Sequence, residues 1–264
     1  MKGCDTVFHA AALVSFWSKK FREQYEINVN GTKNVVESSL EAGVETLVHT
    51  SSVATLGYRV DQQLIDETTP YNWGPDIGYR YTKHLAELEV LKGASRGLRT
   101  VILHPSVIIG PRDVYVHGGA IVREIRHGRI PVYMEGGMNV VSVHDVVSGH
   151  LAAADRGRSG EHYILAGSNF THKEVFDIAA SVTGGRAPKV RIPVRTAQAI
   201  ARVFEVVCKF TGKEPWVSPD LLSGAGRYQW YSTAKAEREL DYHPSPIEGA
   251  MREAYEWYKS NGMI

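Results

Sequence analysis

The chain has 264 residues, 43% hydrophobic and 22% charged, with 30 Lys and Arg against 29 Asp and Glu. That length supports one large core or two modest lobes, and the balanced charge with no basic stripe argues against a nucleic-acid partner and for a small molecule. Cys4 and Cys208 have no metal-ligand spacing and are too few for a disulfide framework, no apolar run nears the ~20 residues of a membrane span, and the N-terminus carries no signal peptide, which together describe a cytoplasmic protein.

Apolar runs of strand length alternate with helical stretches over the first two-thirds of the chain. Residues 6–11 predict a buried strand, 22–42 a helix with Gly43 past its end, and 45–50 a second strand. Gly31 lies inside that helix, at a cost of about 1 kcal/mol relative to alanine, which predicts a second backbone passing close by. Asn28, one turn earlier, needs partners if buried, and an ordered water leading to the site would supply them. Residues 78–97 predict a helix, 99–104 a third strand and 117–127 a helix. Asp145 is placed to cap a helix reaching about Asp155, and 161–166 predict a further strand. This alternation argues for a parallel sheet with helices on both faces.

After Ser168 the pattern turns helical, over 171–183, 196–210, 233–240 and 246–261, punctuated by prolines. The chain therefore divides into residues 1–168, a nucleotide-type domain from which 107–140 lend part of the second lobe, and 169–264, mainly a smaller substrate lobe. Residues 196–210, interrupted by Arg202, Glu205 and Lys209, read as an amphipathic helix expected to pack in the core, a peripheral membrane contact or a cover for a greasy substrate being the other uses of such a face. Trp216, Tyr228, Trp230 and Tyr231 cluster as core or as substrate contacts.

Tyr79 and Lys83 form a Tyr-x-x-x-Lys pair in the helix over 78–97, and Ser52 lies where the second strand ends. One turn separates phenol from ammonium, so both project from one face. Tyrosine titrates near ~10, and a neighbouring cation moves it toward the range where it exchanges protons at neutral pH. A serine hydroxyl alongside holds the same substrate oxygen, and the three residues spell proton transfer to or from a carbonyl or alcohol. Ligands of an open parallel sheet bind outside the carboxyl ends of its strands. Those ends are His9-Ala10-Ala11-Ala12, Thr50-Ser51-Ser52 and His104-Pro105-Ser106, where small residues and hydroxyls admit a flat ring or a ribose. No Gly-x-Ser-x-Gly elbow, phosphate-binding Gly-x-x-x-x-Gly-Lys or His-x-x-x-His spacing points to a hydrolase, a nucleotidase or a metal site.

The segments Asp5-Thr-Val-Phe-His-Ala-Ala-Ala12, Asn28-Val-Asn-Gly-Thr32, Thr50-Ser-Ser52, Tyr79-x-x-x-Lys83, His104-Pro-Ser-Val107 with Gly110-Pro111, and Val143-His-Asp-Val146 stand in the order found in the extended short-chain dehydrogenase/reductases. From about Asp5 to the C-terminus the chain resembles their NAD-dependent epimerase/dehydratase group, in its dihydroflavonol-reductase-like and hydroxysteroid-dehydrogenase-like branch, which includes hopanoid-associated sugar epimerase-like proteins. The resemblance implies an α/β fold, an incomplete Rossmann-type doubly wound parallel sheet with a smaller, mostly helical C-terminal substrate lobe. It implies NAD or NADP as cofactor, and oxidoreductase or epimerase chemistry at a secondary alcohol or ketone of a sugar nucleotide, a flavonoid-like or a sterol-like molecule. Tyr79 would be the general acid/base, Lys83 would lower its pKa and hold the nicotinamide ribose, Ser52 would orient the reacting oxygen, and Asn28 would support a proton relay. His9, Ala10, Ala11, Thr50 and Ser51 would line the cofactor, with His104, Pro105, Ser106 and Val107 near its nicotinamide end; His104 stands where family members often carry Arg. A homodimer is a further implication.

Members of that group open with a strand, a Gly-rich turn and a helix that cradle the pyrophosphate. No Gly-x-Gly-x-x-Gly occurs here, so the chain is expected to be the C-terminal three-quarters of a full enzyme, with an exposed sheet edge and weak cofactor binding. The second reading is a catalytically silent protein that keeps the fold as a binding or regulatory module.

Overall fold

The computed structural model describes residues 1–61, 63–74, 78–212, 214–215 and 217–264. Strand β1 (Thr6–His9) leads to a short helix α1 (Phe21–Gln24), which runs through a π-helical turn (Tyr25–Asn30) into α2 (Gly31–Ala42) and then strand β2 (Thr46–Thr50). Helix α3 (Gly78–Ser95), strands β3 (Arg99–Pro105) and β4 (Val107–Ile109), helix α4 (Ala120–Arg126) and strands β5 (Val132–Tyr133) and β6 (Gly137–Ser142) follow. Helix α5 (Val143–Arg156) and strands β7 (Glu161–Leu165) and β8 (Ser168–Thr171) precede helix α6 (His172–Thr183) and strand β9 (Val190–Arg191). Helices α7 (Val194–Thr211), α8 (Ala234–Leu240) and α9 (Ile247–Ser260) complete the chain.

Strands β1, β2, β3 and β7 form a parallel sheet in that order. Successive side chains on each strand enter opposite layers. Val48, Val101, Leu103 and Leu165 meet α5 and α8 through Val146, Ala153, Ala236 and Leu240, while Leu47 and Ile102 meet α2 and α3 through Val36 and Val90. The fold is thus α/β with helices on both faces, as the alternation of elements predicts. A second sheet pairs β4 and β6 in parallel with β8 antiparallel. Its Ile109 and Val140 pack with Val122, Val175, Ala179 and Met251 of α4, α6 and α9.

Three local expectations change. The cap of α5 is Ser142, whose hydroxyl accepts from the His144 N–H at 3.2 Å; Asp145 sits in the first turn and accepts from the Ser245 N–H at 2.9 Å. Gly31 has no second backbone beside it: a Cβ there would meet only Glu26 O, at 3.8 Å, in the π-helical turn that the glycine follows. Helix α7 spans the amphipathic segment, yet its inner side is Ala197, Ala201 and Cys208, and its larger apolar residues face outward. Among the described residues no helix is long and apolar enough to cross a membrane.

Candidate active site

Ser52 leaves β2 in an extended conformation and caps the turn Val53–Thr55, its Oγ accepting the Ala54 N–H at 3.1 Å. The hydroxyl proton remains to be donated, and the phenol of Tyr79, in the first turn of α3, is near enough for this hydroxyl to lower its pKa. Tyr79 is buried, and burial pushes its pKa up, opposed by the Ser52 hydroxyl and the Arg80 guanidinium. The depression expected from Lys83 is therefore replaced by a rise, because losing hydration of the phenolate outweighs its favourable neighbours. Lys83 is itself buried, and its Nζ donates to Thr50 O at 2.7 Å. Burial pushes its pKa down to about 8, against the pull of the Glu87 carboxyl.

The wall over Tyr79 comes from the segment after β1. The Phe16 ring meets the Tyr79 ring edge-on, with centroids 5.5 Å apart. Asn28, in the π-helical turn, fastens that segment: its Oδ1 accepts the Leu13 N–H at 2.7 Å, and its Nδ2 donates to Leu13 O and to Thr82 Oγ1, both at 3.1 Å. The protein partners of the buried amide are thus the Leu13 backbone and a threonine of α3.

Arg80 is a further component, and the sequence reading passes over it. Its Nη1 donates to Asp220 Oδ1 at 3.2 Å and to Ser223 Oγ at 2.8 Å, and its guanidinium lies 4.6 Å from the Trp73 ring centroid and 5.7 Å from that of Phe16. Burial pushes Asp220 up to about 6 although Arg80 pulls it down. No local pattern marks this pair, because its members are 140 residues apart in the chain.

The residues expected along the cofactor gather at the ends of β1, β2 and β3, but with different orientations. Ala10 and Ala11 are exposed after β1. His9 Nε2 pairs with Thr32 Oγ1 at 2.9 Å, and Thr50 Oγ1 with His150 Nε2 at 2.8 Å. Ser51 donates to Glu87. The fully buried His104 pairs through Nδ1 with Ser52 O at 3.1 Å and Thr55 Oγ1 at 3.0 Å, and through Nε2 with His162 Nδ1 at 2.8 Å. Ser51 and His104 thus stand behind the strand ends and brace them, since His104 shares the face of Ile102 and points toward α3. Pro105 ends β3, Ser106 Oγ is buried without a partner among the described residues, and Val107 opens β4.

His9, His104 and His162 lie on that same face, and burial pushes each down to about 4, with the Lys83 charge adding to the effect at His9 and His104. Glu87, His104 and His162 bring potential ligand atoms within 4.8 Å of one another. These atoms already bond each other or Ser51, Ser52 and Thr55, so the cluster is a hydrogen-bonded network. A cleft of about 510 Å³ opens beside His162, between Glu67, Glu161 and Lys235, without Tyr79 or Ser52 in its walls. Of the aromatic cluster, Tyr231 packs with Leu56, Ile65 and Ile164, Trp230 donates to Phe170 O at 3.0 Å, and Trp216 lies outside the described residues.

Residues 1–166 match the NAD dependent epimerase/dehydratase family. The chain belongs to that family. Among its relatives, a putative dihydroflavonol 4-reductase of Synechocystis sp. is 34% identical over 270 residues, which cover 100% of this chain and 79% of that protein. The sterol demethylase protein B of Methylococcus capsulatus is 30% identical over 270 residues, covering 100% and 81%. The crystal structure of gox2253 superposes with a TM-score of 0.85 at 36% identity, covering 100% of this chain and 81% of that one. Membership in the epimerase/dehydratase family favours the enzyme over the silent binding module.

Proposed function

We propose that the chain is an NAD(P)-dependent oxidoreductase in which Tyr79 exchanges a proton with the oxygen of a secondary alcohol or ketone. The observation that carries this reading is the Ser52 hydroxyl set near enough to the Tyr79 phenol to lower its pKa, at the carboxyl ends of a parallel sheet. Hydroxyls gathered at this spot can bind a carbonyl oxygen, Tyr79 donating its proton and Ser52 supporting the phenolate that is left. Lys83 fits the nicotinamide ribose: an ammonium has three donors, and Thr50 O takes one of them. Ser106 Oγ, buried without a partner among the described residues, adds unused bonding capacity beside the same strand ends. The fit concerns that end of the cofactor alone. When bound, the nicotinamide supplies hydride transfer to or from the substrate carbon.

The substrate class follows from the wall. Phe16 lies against Tyr79, and Arg80 caps both Phe16 and Trp73, so apolar ring surface borders the reacting groups. A fused-ring secondary alcohol or ketone of flavonoid or sterol type suits that surface better than a sugar nucleotide, in keeping with the names of the two relatives. Both cysteines are free thiols, as suits a reducing cytoplasm, where we place the protein.

The test is Tyr79→Phe, assayed with NADH or NADPH against a panel of cyclic ketones. Turnover falls by at least about 100-fold, while the dissociation constant of the reduced cofactor, read from its fluorescence, stays within twofold by our estimate, since the phenol hydroxyl is the only group removed. Turnover retained in this variant would take Tyr79 out of the mechanism.

A further inference from the structure

Helix α7 presents an apolar stripe that the other described residues leave uncovered. Its inner side packs through Ala197 and Ala201 with Leu222, Met134, Ile192 and Ala225. On the outer side Ile200, Val203, Val206, Val207 and Phe210 are between 52% and 88% exposed. They recur at steps of three and four residues and so share one arc of the helix. A contiguous apolar surface of this kind marks an interaction site.

The border of the stripe is basic. Arg195, Arg202 and Lys209 recur at every seventh position, about two helical turns, and form an exposed row along one flank. Arg195 and Arg202 have no ion-pair partner among the described residues. Glu205, the one acid of α7, accepts from Ser18 Oγ at 2.9 Å and lies 3.8 Å from the Lys209 ammonium, with its side chain 15% exposed. Lys19 joins the row from another element, its Nζ donating to Lys209 O at 2.9 Å. The result is a greasy arc edged by cations, of which Lys209 is paired with Glu205 while Arg195 and Arg202 have no carboxylate partner among the described residues.

We infer that α7 is an interfacial helix that docks the protein on an anionic lipid bilayer. A second copy of this chain fits the surface poorly: an isologous contact would bring the same cations together, and the one acid of the helix, Glu205, is already paired with Lys209. A bilayer interface answers both parts of the pattern, because its acyl boundary takes the stripe and its phosphates take the row. Arginine and lysine stems lie along the apolar arc while their charges reach the headgroups. The helix therefore lies in the plane of the interface. Through Ser18 it rests on the segment that carries Phe16, so docking sets the wall of the Tyr79 site beside the lipid. The docking does not depend on the reaction proposed above.

Sedimentation of the full chain with vesicles decides the matter. Vesicles of equal parts phosphatidylglycerol and phosphatidylcholine carry the protein down, vesicles of phosphatidylcholine alone carry down far less, and raised salt releases it. Arg202→Gln weakens binding about fivefold, and the double change Val203→Glu with Phe210→Glu weakens it by more than about tenfold. All three side chains are exposed, so thermal midpoints stay unchanged, and Arg202→Gln alone carries the test should the double variant fail to fold. Absence of binding to anionic vesicles overturns the inference, as does binding untouched by these substitutions. A dimer in light scattering that the double variant dissociates, without vesicle binding, would give the stripe to a second copy and equally overturn it.

Discussion

A phenol whose pKa is raised by burial holds its proton at neutral pH, which suits Tyr79 to the proposed role of donor to a carbonyl oxygen. Ketone reduction should then proceed through neutral pH and decline on an alkaline limb, whereas alcohol oxidation should rise along that same limb. The Ser52 hydroxyl lowers the phenol's pKa by donating to its ionised form. Ser52→Ala should move the limb to higher pH and lower kcat about 100-fold, the usual cost of one donor to a developing oxyanion. Profiles of kcat against pH for the two proteins read both effects. A limb that stays in place would uncouple Ser52 from Tyr79, whatever the loss of rate.

Helix α3 carries Tyr79 and Lys83, the proposed catalytic pair, and is fastened to the C-terminal part of the chain by the Arg80–Asp220 pair, whose side chains are 7% and 20% exposed. Removing the cation leaves the Asp220 carboxylate without its partner away from water, so Arg80→Gln should cost roughly 2–3 kcal/mol, at the lower end for a buried pair because Asp220 keeps some solvent. Urea unfolding measures it, and a loss below about 0.5 kcal/mol, within the range of ordinary surface changes, would reduce the pair to a surface contact. This tether also marks where the sequence ceases to be legible. Strands β2 and β3 and helix α3 are readable because apolar runs and turn residues are local signals, and Tyr79, Lys83 and Ser52 are readable because they fall at the ends those signals define. The π-helical turn under Asn28 escapes, since six residues contain too little periodicity to separate it from an α-helix. Asn28 binding Leu13 and Arg80 binding Asp220 escape because tertiary folding chooses those partners. The amphipathic period of α7 is plain in the sequence, but a period does not say which side of a helix faces the core.

Burial of titratable groups extends across the whole α2/α3 side of the sheet and makes the molecule sensitive to acid. His9, His104 and His162 are held near 4 against an ordinary 6.5, so the unfolded chain binds more protons than the folded one throughout that interval. Stability contributed by neutral histidine is complete above about pH 6.5 and is lost as pH falls toward 4. Asp220, held near 6 against 3.8, has the opposite sign: its contribution is present at low pH and is lost as pH rises through 6. Glu87, also raised by burial, acts in the direction of Asp220. With His49, His150 and His172 also lowered by burial and Glu67 also raised, six histidines against three acids leave a net loss on acidification, an imidazole held near 4 accounting for on the order of 3 kcal/mol. His104→Gln keeps a polar side chain in the network and removes one titration, so its stability should fall less steeply between pH 6.5 and 4.5 than that of the parent, by up to one bound proton. Urea midpoints at three pH values in that interval give both slopes. Parallel slopes would mean that His104 takes up its proton within the folded state, and the bonds from its ring to Ser52 O and His162 would then have to persist around a cation.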